Sequence, residues 1–175
     1  MKKILLVIDM QNDFIDGALG TPEAVAIVEN VKAKIRSYPK EDVFATRDTH
    51  TDFYMDTQEG HNLPVPHCIR GTEGWEIRPD VAALIYPDHV IDKPTFCSTQ
   101  LAKLMEIFER REDDGIEIEL IGLCTDICVV SNAMLVRAGL HETPIRVVAA
   151  ACAGTTPENH DHALAVMKSC QIEIL

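Results

Sequence analysis

Short apolar runs alternate along the chain with longer segments in which apolar residues recur every three or four positions. That alternation is the mark of βαβ units and of a parallel sheet covered on both faces. Six runs read as strands: Lys3–Asp9, Asp42–Arg47, His89–Lys93, Ile116–Gly122, Ile145–Ala150 and Gln171–Leu175. Four segments between them read as helices: Pro22–Tyr38, Thr99–Arg111, Asp126–Gly139 and Pro157–Ser169. The second helix sets Leu101, Leu104, Met105 and Phe108 on one stripe and ends on Arg110 and Arg111, cations where the helix dipole favours them. Thr156-Pro157-Glu158 gives the last helix an N-cap and a proline at its first position.

The stretch from Asp48 to about Pro79 fits neither period. It holds Gly60, Gly71, Gly74, Pro64 and Pro66, three of the seven histidines and the only tryptophan. An insert of about 30 residues without regular structure is uncommon in a compact domain, and is usually functional or disordered. Disorder would leave Phe53, Tyr54, Leu63, Val65, Ile69 and Trp75 in water, so a functional insert is the reading.

Composition changes the picture in two ways. The chain has 175 residues, 46% apolar, with no linker or repeat to divide it, so residues 1–175 are expected to form one domain with a core large enough to need no disulfide staples. The charge is −12 and no Lys/Arg run exceeds two residues, which excludes a phosphate-gripping surface and hence nucleic acid as a partner. The apolar run Ile4–Ile8, closed by Asp9, is too short for a signal-peptide core, and no window approaches the roughly 18 uncharged apolar residues of a membrane span. A cytoplasmic protein with its six cysteines reduced is the expectation.

Ligands of open α/β sheets bind beyond the C-terminal strand ends. Those ends carry Asp9-Met10-Gln11-Asn12-Asp13-Phe14, Arg47-Asp48-Thr49-His50, Asp92-Lys93-Pro94 and Gly122-Leu123-Cys124-Thr125-Asp126-Ile127-Cys128. With the strand order 3-2-1-4-5-6, Asp9 lies beside the Cys128 loop. Cys128 falls in the first turn of a helix, where free N–H groups and the dipole favour a thiolate and lower its pKa. Taken singly, Cys128 reads first as a small buried hydrophobe, Asp9 as a turn carboxylate and Lys93 as a surface charge. Together they offer a nucleophile, a base and an orienting ammonium. Asp48, His50 and His67 form a second set, one carboxylate and two imidazoles suited to Zn, Fe or Mn, to which Asp56, Glu59 or His61 could add a ligand. Side chains that merely order a loop are the alternative.

In order along residues 4 to about 155, Val7-Ile8-Asp9-Met10-Gln11-Asn12-Asp13-Phe14, the Asp48-x-His50 pair, Pro66-His67-Cys68-Ile69-Arg70-Gly71-Thr72-Glu73-Gly74, Lys93 and Gly122–Val129 resemble the isochorismatase-like cysteine hydrolases, particularly the nicotinamidase/pyrazinamidase branch. The resemblance implies a three-layer α/β/α, Rossmann-like fold with a six-stranded parallel sheet of order 3-2-1-4-5-6. It implies Asp9 as general base, Cys128 as nucleophile and Lys93 as orienting residue in hydrolysis of a small carboxamide through a thioester. It further implies an oxyanion hole from the backbone N–H groups of Cys124 and Cys128, a cis Leu123–Cys124 peptide, and Phe14 as an apolar wall of the substrate site. A divalent metal ion, zinc before iron or manganese, is implied on Asp48, His50 and His67, and so is a homo-oligomer.

Two departures stand out. A family histidine near position 56 is replaced by Asp56 or shifted to His61, and the aromatic before Pro-x-His is replaced by Leu63 and Pro64. Nicotinamide or pyrazinamide leads as the substrate type, with another amide or an N-carbamoyl compound as alternative. True isochorismatase activity fits less well, because that branch lacks the nucleophilic Cys. A separate alternative is a metal-binding or thiol-redox module, which needs Cys124 and Cys128 to point at one centre.

Overall fold

The computed structural model describes residues 1–175. Six parallel strands, β1 (Lys2–Ile8), β2 (Val43–Asp48), β3 (Val90–Lys93), β4 (Ile116–Leu123), β5 (Ile145–Ala153) and β6 (Glu173–Ile174), form one sheet of order β3-β2-β1-β4-β5-β6. Strands β1 and β4 therefore lie side by side at its centre, with Ile8 opposite Gly122.

Period-two alternation sends successive strand residues to opposite layers. Ile4, Leu6, Ile8, Ile118 and Leu120 pack against α6 (Thr99–Arg111), α7 (Val130–Gly139) and α8 (Pro157–Ser169). Leu5, Val7, Val43, Ala45, Ile121 and Leu123 pack against α1 (Asn12–Ile15), α2 (Pro22–Ala26), α3 (Val28–Arg36) and α5 (Pro79–Ala82). Glu117 and Glu119 share this second face at the N-terminal end of β4, where Lys3, Arg146 and Lys34 pair them.

The expected helix Pro22–Tyr38 is two helices. The chain bends at Ile27, whose N–H turns to Val25 O, and Ile27 and Val28 both reach the core. Its end falls at Arg36, where the Ser37 hydroxyl bonds Lys34 O and competes with the helix ladder. The helix expected from Asp126 starts instead as a π turn, Thr125–Val129, and becomes α-helical at Val130. β5 runs three residues beyond its expected end at Ala150, and β6 is shorter than Gln171–Leu175.

The aperiodic insert is ordered on the sheet. It contains a 3-10 turn, Tyr54–Asp56, and α4 (Gln58–Asn62), begun by Thr57 capping Gly60 N–H. Isolated bridges His50–Ile69 and Gln11–Ile77 pin it to the strand ends, and Tyr54 and Trp75 are buried beneath it. Those anchors explain why a segment with no sequence period keeps one conformation.

Candidate active site

Asp9 ends β1 in a left-handed conformation, φ 47°, that aspartate tolerates better than most residues and that turns its side chain across the strand ends. Gly122, opposite Ile8 in β4, has φ 116°, and a Cβ there would run into the Ile8 carbonyl oxygen. A glycine is required for the two strands to approach at this level. The next peptide, Leu123–Cys124, is cis.

Three strand ends meet at one buried point. Lys93 Nζ, from the end of β3, lies 2.7 Å from Asp9 Oδ2, 3.5 Å from Cys128 Sγ and 3.4 Å from Asp48 Oδ1, and donates to Thr95 O at 3.0 Å. Neither the Asp9 nor the Lys93 side chain is exposed to solvent. Thr46 Oγ1 donates to Asp9 Oδ1 at 2.6 Å, fixing the carboxylate plane. Asn132 holds the other side: its Nδ2 donates to Cys128 O at 2.8 Å and to Phe96 O at 3.2 Å, while its Oδ1 accepts from Ser98 N. The Lys93–Ser98 loop and the Cys128 turn are thus tied by one side chain.

Burial dominates the electrostatics. It pushes the Asp9 carboxyl above its ordinary range; Lys93 opposes this, and the Asp48 carboxylate adds to the rise. Burial pulls the Lys93 ammonium down, but the charges of Asp9, Cys128 and Asp48 outweigh it and hold Lys93 firmly protonated. The Cys128 thiol, expected to be lowered by a helix N-terminus, is instead raised: burial pushes it up, Asp9 adds to this, and Lys93 pulls the other way. Its position in a dry π turn, rather than at an open helix end, is the reason. A thiol in this state needs a base in contact with it.

The second set also assembles. Ligand-capable atoms of Asp48, His50, Glu59 and His67 all lie within 4.8 Å of one another. His50 Nε2 is 3.0 Å from Asp48 Oδ2 but off the line a hydrogen bond requires, and this buried nitrogen has no hydrogen-bond partner. His67 Nε2 is 3.7 Å from both Asp48 Oδ2 and Glu59 Oε1. Its Nδ1 lies 2.8 Å from Val65 O, and because a carbonyl only accepts, Nδ1 carries the proton, which leaves Nε2 as the ring nitrogen facing the cluster. Two imidazoles and two carboxylates converging around an orphaned buried nitrogen fit a divalent cation. Burial pulls His50 down, but Asp48 and Glu59 more than restore it, so its pKa is raised. Burial alone would raise Asp48, yet His50, Lys93 and His67 hold it low.

Of the three candidate extra ligands, Glu59 joins the cluster, whereas Asp56 and His61 do not. Its signal was its place in the first turn after the Thr57 cap, on a helix too short to show periodicity. Cys124 and Cys128 diverge: Cys124 packs with the α1–α3 face and Cys128 with the α6–α8 face, so no shared thiol centre forms. Phe14 is buried with its ring 5.5 Å from that of His67, backing the cluster. Thr46 and Asn132 were not read from the sequence, although Asn132 sits four residues after Cys128, one helical turn on. Beside the cluster opens a cleft of about 610 Å³ lined by His50, Glu59, Leu63, Thr95, Phe96 and Ile127 among others, a size suited to a small molecule.

A family model described as an isochorismatase domain matches residues 3–175. The nicotinamidase/pyrazinamidase of Mycobacterium tuberculosis is 25% identical over 193 aligned positions, covering 99% of this chain and 98% of that protein. Among solved structures, the Bacillus subtilis nicotinamidase PncA superposes with a TM-score of 0.80 at 29% identity over 99% of both chains. The Pyrococcus horikoshii pyrazinamidase in complex with zinc does so with a TM-score of 0.77 at 28% identity, over 100% of this chain and 99% of its own. With its central parallel sheet in the order 3-2-1-4-5-6 and the domain match spanning nearly every residue, this chain belongs to the isochorismatase family.

Proposed function

We propose that this chain is a single-domain cysteine amidohydrolase that converts a small carboxamide of the nicotinamide or pyrazinamide type to its acid and ammonia. The observation that carries the reading is the buried Lys93 ammonium placed 2.7 Å from Asp9 and 3.5 Å from Cys128 Sγ, beside a cleft of small-molecule size. The relatives named for this activity support the substrate type.

Cys128 Sγ adds to the amide carbon as its proton passes to Asp9, whose raised basicity suits it to accept one. Lys93 compensates the charge on both partners. The backbone N–H groups of Cys124 and Cys128 receive the developing oxyanion. Collapse breaks the C–N bond, and ammonia departs with the proton from Asp9. Water then attacks the thioester, giving its proton to Asp9, and expulsion of the thiolate frees the acid and restores the thiol. Asp48, His50, Glu59 and His67 would hold a divalent ion, zinc before iron or manganese, which supplies a Lewis-acidic anchor for a substrate ring nitrogen. Phe14 supports that region as an apolar wall behind His67.

A second reading, an N-carbamoyl or other amide substrate for the same three residues, draws on the cleft itself. Leu63 stands where an aromatic ring is expected, and Thr57, Gln58 and Asn62 line the cleft with polar groups. Self-association belongs to the reading as well: Phe53 is 72% exposed and Val166 53%, apolar surface that a second copy could cover. The test is ammonia release from nicotinamide, pyrazinamide and N-carbamoyl compounds in parallel, with zinc supplied and with chelator. Activity on a pyridine or pyrazine carboxamide that vanishes in Cys128→Ala is expected; no ammonia from any of them with zinc restored overturns the proposal.

A further inference from the structure

Gln11 is fully buried two residues beyond Asp9, and no step of the proposed reaction uses it. Its carboxamide grips one residue at both ends: Oε1 accepts from Asp48 N–H at 2.7 Å, and Nε2 donates to Asp48 O at 2.8 Å. The second Nε2 hydrogen goes to Trp75 O at 2.9 Å, in the insert. The side chain therefore pairs with Asp48 as a neighbouring strand would, at the point where β2 ends. Only a side-chain amide of this length offers an acceptor and two donors in one plane; a carboxylate lacks the donors, and an apolar isostere would leave three buried backbone groups unpaired.

Asp48 is the residue whose placement matters most, because its two oxygens face different groups. Oδ1 is 3.4 Å from Lys93 Nζ, and Oδ2 is 3.0 Å from His50 Nε2 and 3.7 Å from His67 Nε2. A small rotation of the Asp48 backbone would spoil both contacts. We infer that Gln11 is a positioning residue that clamps the Asp48 backbone, so that one carboxylate serves the cation cluster and Lys93 at once. The inference rests on the reading of Asp48, His50, Glu59 and His67 as cation ligands.

The test measures zinc affinity, by competition with a chromophoric chelator, and kcat and KM for ammonia release, in the parent, Gln11→Met and Gln11→Glu. Outer-shell partners of metal ligands typically contribute about 10–100-fold to affinity. A loss of that size in zinc affinity, with a fall in kcat larger than any rise in KM, is expected in both folded variants. Equal zinc affinity and equal kcat in a folded variant overturn the inference, whatever its melting temperature, since a purely structural role would move only the latter. Should both variants fail to fold, the parent decides by NMR. The Gln11 side-chain NH2 should exchange slowly with solvent and shift on zinc addition, and an unshifted, fast-exchanging pair rejects the clamp. A parent that binds no zinc refutes the ligand reading instead, which keeps the two failures apart.

Discussion

Replacing Lys93 by Met removes the one Lys or Arg within 4 Å of Asp9 and leaves a carboxylate that no solvent reaches. At 2.7 Å the Coulomb attraction is about 6 kcal/mol for an effective dielectric of about 20, against a desolvation penalty of several kcal/mol per ion. The pair as a whole is thus close to neutral for stability, but breaking it is not. Loss of one partner of a buried pair costs about 3–5 kcal/mol. At roughly 2–4 °C per kcal/mol for a chain of this size, the melting temperature should fall by about 6–20 °C. The Asp9→Leu/Lys93→Met double variant removes both charges and should recover most of that loss while staying inactive. Asp9 supplies the sign of the pH dependence. Its folded pKa is raised already and rises further without Lys93, so protonation favours the folded state at low pH and this contribution is lost as pH climbs through the folded value. The deficit of Lys93→Met should therefore shrink as pH falls. Scanning calorimetry of the three proteins in chelator, at several pH values, measures all of this. A double variant as unstable as Lys93→Met, or a single variant within about 1 kcal/mol of the parent, would refute the reasoning.

Cys128→Ser should fold normally and release ammonia at least about 100-fold more slowly, since the base and ammonium remain but the nucleophile is weaker; a stopped assay with melting curves checks it. Gly122→Ala forces a Cβ into the Ile8 carbonyl at φ 116° and should cost more than about 3 kcal/mol by denaturant titration. Asn132→Leu unties Cys128 O and Ser98 N, and should lower kcat with a stability loss of about 1–3 kcal/mol. The raised His50 pKa gives metal-free and zinc-loaded protein opposite pH trends. Without metal, the His50 contribution is fully present below its ordinary value of 6.5 and is lost as pH rises through the folded value. With zinc, protons compete for the same nitrogen, so the zinc-induced rise in melting temperature should grow with pH; a constant increment between pH 5.5 and 8 would remove His50 from the ligand set.

What sequence alone determined is what local chemistry dictates. The apolar runs of β1, β2, β4 and β5 carry side chains for both faces of a sheet, and only burial on both faces satisfies them. The helix starts at Pro22, Thr99 and Pro157 were legible, the last through its Thr156 cap, and Thr21 and Ser98 cap the other two through bonds to residues three positions on. Asp9, Lys93, Cys128, Asp48 and His50 were legible as candidates because each stands at a strand end or close to one, where an α/β sheet gathers its ligands, and His67 because it is a second imidazole in the aperiodic insert after Asp48 and His50; their ordered motifs also resemble a known family. Tertiary structure decided the rest, since it depends on groups distant in the chain. Glu59 was chosen over Asp56 and His61 by the direction in which a five-residue helix faces its neighbours, which no period records. Cys124 and Cys128 pack with different apolar clusters, a division that their spacing does not record. The thiol's electrostatics changed sign because the turn that carries it is dry, and water exclusion is a property of the packed molecule, not of any segment of its sequence.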